Sequence, residues 1–460
     1  MFVLSDKCGT IHNEKAHIRN VFFLSANVER YTKIKEVIVM EGMKFTIVGA
    51  GSSYTPELLD EMAMRKEQLP VKEVMLYDID EKRLNIMEGF CKRFAEKLGL
   101  DVEIRATTSL DKALYGADFV DTQIRVGGNR QRVKDEKIPL QYDLVGQETT
   151  GAGGMMKAFR TIPVMLDVAR KMEELSPEGW LINYTNPTGL VTEAVTRYTK
   201  ANIAGFCSGG IFPKMWAKRA LGIPYEQVQY DYMGLNHMNF ISNITINGRP
   251  VTEAEFEKIA AQNDDVDLEL IKLLGVIPSP YLQWYYHTNE KVAKFKAAPK
   301  TRGEYVQDLE KDVYAAYADE TNCDKPEALA KRGGGGYSEV AMGFVNAVYN
   351  NVDTKMVVNV PNNGAISFLP DSAVVEVGCL VNKTGMQALH VTEVPSMCWG
   401  LVAAVKNYEQ LAVEAAVEGD VRKMKLALLA HPLVRQWEYV EKLVPELLEA
   451  NKEYLPQFHL

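Results

Sequence analysis

From Lys44 onward the apolar and polar positions fall into a regular order. Residues 45–48 are a short apolar run of strand length, and Gly49-Ala50-Gly51-Ser52-Ser53 follows as a tight turn. A helix then opens, with Thr55 predicted as its N-cap, Pro56 at the first helical position and Glu57 against the positive end of the dipole. A second strand over 73–77 ends in Asp78, and a helix is expected from about 81 to 98. Strand-like segments recur at 102–106, 118–124, 180–183 and 202–206, with helical periodicity between most of them. Amphipathic helical stretches return near 397–418 and 420–452. Strands alternating with helices predict an α/β fold, a parallel sheet covered on both faces.

Composition narrows this picture. The 460 residues carry 61 acidic and 52 basic side chains, a formal charge of −9. At roughly 150 residues per domain, up to about three domains fit. A 47% hydrophobic content excludes wholesale disorder. The acidic balance argues against nucleic-acid or membrane-surface binding, and no apolar run approaches the roughly 18 residues of a membrane span. Six scattered cysteines without a CxxC pair point to a reduced, cytoplasmic protein. Residues 1–42 mix charges with short apolar patches, unlike a secretory signal, and read as an extension or a mistaken start before Met43.

A strand, a Gly-x-Gly turn, a helix and an acid ending the next strand are the parts of a dinucleotide site. Glycines let the backbone approach a pyrophosphate at a helix N-terminus, and the later carboxylate can hold a ribose diol. Two departures stand out: Tyr54 takes the third glycine's place, and Asp78 lies 27 residues after Gly51. A carboxylate at Asp78 favours NAD over NADP, whose 2′-phosphate it would repel. Further polar clusters end successive strands: Arg125 to Gly128 with Arg130 and Arg132 beyond, the GQETTGAGG stretch at 146–154, NYTNPTG at 183–189 and CSGG at 207–210. Singly, each has an ordinary explanation, such as Asn186 capping a helix or Cys207 as a small buried hydrophobe. Their recurrence at strand ends is the signal, since open α/β sheets bind ligands there. Cys207 and His237 form a candidate ligand pair for a divalent transition metal. The residues alone therefore indicate a nucleotide-dependent α/β enzyme with a polar, partly cationic cleft.

Ordered landmarks add a resemblance. They are GAGSSYTPEL at 49–58, YDID at 77–80, IPLQYDLVGQETTGAGG at 138–154, NYTNPTG at 183–189, GFC at 205–207, GLNH at 234–237, PYLQWYY at 280–286, KRGG at 331–334 and NNGAISFLPDSAVVEV at 362–377. In this series the chain from Met43 onward resembles the NAD-dependent glycoside hydrolases of family 4, the 6-phospho-β-glucosidases most. Such enzymes depart from two-carboxylate hydrolysis. The resemblance implies a Rossmann-type sheet domain like that of lactate and malate dehydrogenases over 43–206, then a mixed α/β metal- and substrate-binding domain over 207–460. It implies oxidation of the sugar at C3, loss of the C2 proton, elimination of the glycosidic oxygen, addition of water and re-reduction, with NAD and Mn²⁺ or another divalent ion as cofactors.

By position, the resemblance makes Cys207 and His237 the metal ligands and Tyr281 the base for the C2 proton, with Tyr285 and Tyr286 close alternatives. It assigns Asn186 to substrate beside the nicotinamide, and Arg132 and Arg302 to substrate, most naturally a 6-phosphate. Gly49, Gly51, Ser52, Ser53, Asp78 and Asn186 would hold NAD. Ser208 departs from the pattern, because phospho-α-glucosidases tend to carry Asp there, phospho-β-glucosidases Asn and many members acting on plain sugars His. Serine is a poor general acid, which counts against an α-type enzyme and leaves leaving-group protonation to water. Other readings are activity on 6-phospho-α-glucosides, on unphosphorylated α-galactosides or α-galacturonides, a net dehydrogenase, or an NAD-binding sensor. A homodimer or homotetramer is expected, with no nucleic-acid or membrane partner.

Overall fold

Six short strands run parallel through the first half of the chain, the central ones buried on both faces. A computed structural model describes residues 42–333, 335–391 and 395–460; the segment read as an extension lies outside the described residues except for Gly42. The strands are β1 (Met43–Val48), β2 (Val71–Tyr77), β3 (Glu103–Thr107), β4 (Phe119–Thr122), β5 (Trp180–Asn183) and β6 (Asn202–Gly205). Their order is β3-β2-β1-β4-β5-β6, so the chain winds outward both ways from the β1–β4 junction. That junction is the topological switch point at which α/β sheets open a crevice.

Later strands extend the same sheet in the antiparallel sense. They are β11 (Thr354–Pro361), β12 (Val374–Asn382) and β13 (Gly385–Ala388), with β11 beside β6. Between them in sequence, β7 (Val228–Leu235) and β8 (Met238–Ile246) form a hairpin, with β9 (Arg249–Pro250) and β10 (Ile277–Pro278) both paired to β8. This small sheet covers its own apolar cluster, which includes Trp216, Tyr232, Ile241 and Ile271. The main core runs through the large sheet and the helices Gly151–Leu175 and Ser396–Glu418. Residues 151–162 of the first of these helices are all buried, as an element enclosed on every side must be.

Two local expectations are corrected. Thr55 is the first helical residue rather than the N-cap, a position taken by Tyr54 without any side-chain bond. The Thr55 hydroxyl is committed elsewhere: it donates to the Ala50 carbonyl at 2.8 Å and accepts from Gln123 Nε2 at 2.7 Å. The stretch near 420–452 is two helices, Val421–Ala430 and Trp437–Asn451. Pro432, with no N–H to give, falls in the break between them. Among the described residues no helix is long and apolar enough to cross a membrane. Cys91, Cys207, Cys323, Cys379 and Cys398 are free thiols.

Candidate active site

At the end of β1 the backbone turns with almost no room for side chains. Gly49 has φ +91°, and a Cβ there would lie 3.1 Å from the Gln123 carbonyl oxygen. The Gly51 N–H donates to Asp78 Oδ2 at 2.8 Å, and a Cβ on Gly51 would sit 2.7 Å from that oxygen. The other Asp78 oxygen accepts from the Asp80 N–H at 2.9 Å. Tyr314 donates to the Gly51 carbonyl, and Tyr317 to the Ser53 carbonyl at 2.9 Å, so the helix Arg302–Ala318 grips the turn from outside. The helix Thr55–Met64 has no side-chain cap, and the buried Ser53 hydroxyl has no partner. Uncapped N–H groups, a spare hydroxyl and a turn that excludes Cβ atoms fit a dinucleotide pyrophosphate.

Cys207 follows β6 and His237 occupies the two-residue turn between β7 and β8. The turn is tight: Gly234 has φ +142°, and a Cβ there would meet the Met238 carbonyl at 2.2 Å. Cys207 Sγ and His237 Nε2 approach to 3.5 Å, both residues being buried. Thr149 fixes the imidazole tautomer. Its hydroxyl donates to Gln147 Oε1 at 2.8 Å, so toward His237 Nδ1, 3.1 Å away, it can only accept. The proton therefore sits on Nδ1 and the Nε2 lone pair faces the thiol. Burial and the nearby Lys157 charge push the imidazole down to about 3, keeping it neutral. Burial, then the Glu376 carboxylate, pushes the Cys207 thiol up to about 12, so its anion needs a cation beside it. Among the described residues no group of three or more His, Cys, Asp or Glu could hold a metal. The donor set is one sulfur and one nitrogen, which suits a divalent ion whose other positions stay open to oxygens.

Tyr281 lies flat on the imidazole, the ring centroids 3.6 Å apart and the planes 8° from parallel. The pairing of β10 with β8 sets this up, continued by the Ser279 N–H bond to the Asn239 carbonyl at 2.8 Å. Burial, then the charge of the Cys207 thiolate, would hold the Tyr281 phenol well above its usual range. Its neighbours are spent differently. The Tyr285 hydroxyl is 2.9 Å from Thr150 Oγ1, and Tyr286 is only half-buried.

A cationic cluster adjoins the pair. Glu148 bonds Arg125, Lys157 Nζ at 2.8 Å and Arg132 at 3.1 Å. Burial alone would raise Glu148, yet these three cations hold it well below the ordinary carboxylate range. Lys157 is brought down to about 7 by burial and by Arg125, against the pull of Glu148. Arg132 Nε also donates to Glu136 at 2.8 Å, and the second Glu136 oxygen accepts from the Gly303 N–H at 2.8 Å.

Asn186 ends the β5 loop with its side-chain oxygen 3.4 Å from both Thr188 donors. Arg302 precedes Gly303, which packs against Arg132, but its own guanidinium bonds elsewhere. It is exposed and bonds the carbonyls of Lys331 and Arg332 at 3.1 and 2.7 Å. The structure thus gathers Cys207, His237, Tyr281 and Arg132, with Gly49, Gly51, Ser52, Ser53 and Asp78 forming a separate turn. Sequence reasoning missed Glu148, Lys157 and Glu376. Glu148 and Glu376 both fall within landmark stretches, 138–154 and 362–377, and Glu376 is a lone acid in the apolar strand VVEVGCLVN, a signal that could have been read.

Residues 44–223 match the family 4 glycosyl hydrolase description, and residues 232–434 match its C-terminal domain. The chain belongs to glycosyl hydrolase family 4. A probable 6-phospho-β-glucosidase from Bacillus subtilis (strain 168) is 41% identical over 91% of this chain and 98% of its own. The solved 6-phospho-β-glucosidase from Thermotoga maritima with NAD and glucose-6-phosphate is 33% identical, with a TM-score of 0.85 over 90% of this chain and 99% of that one. A second form of it contains manganese as well, with 32% identity, a TM-score of 0.84 and the same coverage. Malate dehydrogenase from Plasmodium falciparum shares the fold alone, at 14% identity and a TM-score of 0.51, over 82% of this chain and 98% of that one. The family is an enzyme family, and the Rossmann-like sheet is the expected one.

Proposed function

We propose that this family 4 enzyme hydrolyses 6-phospho-β-glucosides, using NAD and Mn²⁺ or another divalent ion. The observation that carries the reading is Tyr281 stacked on His237, with Cys207 3.5 Å from that imidazole, in a chain 41% identical to a probable 6-phospho-β-glucosidase. In the proposal, residues 43–206 form the nucleotide unit and 207–460 the metal- and substrate-binding unit, with Arg132 and Asn186 reaching the substrate from the first. Gly49, Gly51, Ser52, Ser53 and Asp78 hold NAD, and Cys207 and His237 hold the metal. When bound, NAD accepts and returns a hydride and the divalent ion polarises the sugar's oxygens.

The chain's own residues do the remaining work. Asn186 orients the sugar beside the nicotinamide, and Tyr281 takes the C2 proton. Burial keeps that phenol protonated, so positive charge from Arg132 and the metal site is what favours its anion. Arg132 is itself fixed by Glu136 and Glu148, so its guanidinium is aimed before substrate arrives. Arg302 contributes from the rim. Ser208 offers no proton donor comparable to a carboxylic acid, which disfavours the phospho-α-glucoside reading and leaves the leaving group to water. A reducing cytoplasm suits a buried thiol that must bind metal, and a homodimer or homotetramer completes the proposal.

The test is a substrate panel with purified protein, NAD⁺, Mn²⁺ and a reductant. Cleavage of 4-nitrophenyl β-D-glucoside 6-phosphate, with the plain and α forms left intact, is expected. No cleavage of it, or faster cleavage of an unphosphorylated α-galactoside, would overturn the substrate assignment. Stoichiometric NADH would indicate a net dehydrogenase instead.

A further inference from the structure

Behind the Cys207–His237 pair lies a carboxylate with no role in the reaction outlined above. Glu376 sits mid-way along β12, 1% exposed, opposite Asn359 of β11. Its Oε1 accepts from Asn359 Nδ2 at 3.0 Å and from Asn236 Nδ2 at 3.2 Å, and its Oε2 accepts from Asn239 Nδ2 at 3.0 Å. The Tyr232 hydroxyl is a further partner. Every donor is neutral, and among the described residues no lysine or arginine forms an ion pair with it. Amides solvate a carboxylate but leave its charge uncompensated, a costly state for a buried group.

The amides also fall at telling positions. Asn236 precedes His237 and Asn239 follows it by two residues, so both sides of the ligand-bearing turn hang on one carboxylate. Asn359 Nδ2 reaches the Gly205 carbonyl as well, at 3.2 Å, two residues before Cys207. Three segments that fix the two ligands thus converge on Glu376. A charge count supplies the second argument. Counted over the ion, its two ligands and Glu376 alone, a dication on one thiolate and one neutral imidazole keeps a single positive charge, which the carboxylate behind it cancels.

We infer that Glu376 is a positioning residue of the metal site: it anchors the His237 turn and the Cys207 strand end, and it supplies the buried negative charge that balances a divalent ion held there. This rests on Cys207 and His237 being the ligands. Substitutions in an outer shell typically weaken metal binding by about 10–100-fold.

The test is Mn²⁺ affinity, read from the free-ion electron paramagnetic resonance signal, beside NAD⁺ affinity as a control of folding. Glu376→Gln keeps the shape and removes the charge, and Glu376→Asp keeps the charge on a shorter arm. The expected order is wild type tightest, then Asp, then Gln weakened at least about tenfold, with NAD⁺ binding within about twofold throughout. A Gln variant that binds Mn²⁺ like wild type, or more tightly than the Asp variant, overturns the inference, because a purely structural role would favour the isosteric amide. Should Glu376→Gln fail to fold, Asn359→Leu replaces it: about fivefold weaker Mn²⁺ binding is expected, and unchanged binding overturns. Cys207→Ser separates the two levels. If it leaves Mn²⁺ affinity at the wild-type value, the ligand assignment itself falls and the role of Glu376 falls with it.

Discussion

At the nucleotide turn main-chain atoms do most of the contacting: the Gly49 and Ala50 N–H groups both reach the Tyr77 carbonyl at 2.9 Å, and Gly51 meets Asp78 where no Cβ would fit. Around the Cys207–His237 pair side chains do it. Charged groups on different elements share a few buried carboxylates there, as when Arg125, Arg132 and Lys157 crowd on Glu148. The first region is a local shape made by the five residues Gly49–Ser53 and one acid, Asp78. The second is a long-range assembly whose members mean little until the sheet brings them together. A main-chain device tolerates side-chain changes that leave its backbone room, whereas a buried charge network tolerates almost none.

The largest effect should follow from removing the phenol stacked on His237. Tyr281→Phe is expected to lower kcat by about 10²–10⁴-fold while NAD⁺ affinity, followed by fluorescence titration, stays put. Turnover close to wild type would remove Tyr281 from the chemistry and reopen the choice of base.

Next comes the network itself. Glu148→Gln leaves Arg125, Arg132 and Lys157 without their shared carboxylate, so urea unfolding should show a loss of about 3–5 kcal/mol. A loss below about 1 kcal/mol would mean that the cations find other partners and the region is less tightly coupled than its geometry suggests.

The nucleotide half holds an exception of its own. Asp121 on β4 is 2% exposed, its Oδ1 has no partner, and burial pushes it up to about 8. An unfolded aspartate titrates near pH 3.9. Between these values the native state binds the extra proton, so this group's contribution to stability is fully present below about pH 4 and is lost as pH rises through about 8. Asp121→Asn should therefore flatten stability over that window, its advantage over wild type growing by roughly 4 kcal/mol between pH 5 and pH 8.5. Parallel pH profiles for the two proteins would show that Asp121 ionises without penalty.

The smallest effect tests the main-chain device. Gly51→Ala pushes a methyl against Asp78 and should weaken NAD⁺ about tenfold, at a cost of roughly 1–2 kcal/mol in stability. Unaltered NAD⁺ affinity would show that the turn can yield, and that the contrast between the two regions is weaker than drawn.

This contrast also explains what could be read from the chain beforehand. The helix over 81–98 and the strand over 180–183 are found at those residues, because each carries its own periodicity. The glycine turn was visible because its geometry is written in adjacent residues. Thr55 misled because its hydroxyl serves a carbonyl five residues back and the end of β4, contacts that no local rule anticipates. The last helical stretch misled because its apolar spacing continues across the break near Pro432. At the other end, Cys207 and His237 were two weak signals made useful by resemblance to a family. Lys157 is hidden in the wholly buried first half of its helix, and its significance depends on Glu148 arriving from the preceding loop.

One helix belongs to both regions. The segment Arg302–Ala318, about 25 Å long at 1.5 Å per residue, holds the glycine turn through Tyr314 and Tyr317 near its end. Near its start the Gly303 N–H bonds Glu136, the partner of Arg132, and a Cβ at that glycine would touch Glu136, Val133 and Arg132 within 3.3 Å. It is a strut clamped at two ends with no slack at either. A tilt that loosened the Gly49–Ser53 turn would also lever Arg132 out of line, so in the proposed assignment a single rigid rod would keep coenzyme and sugar in register.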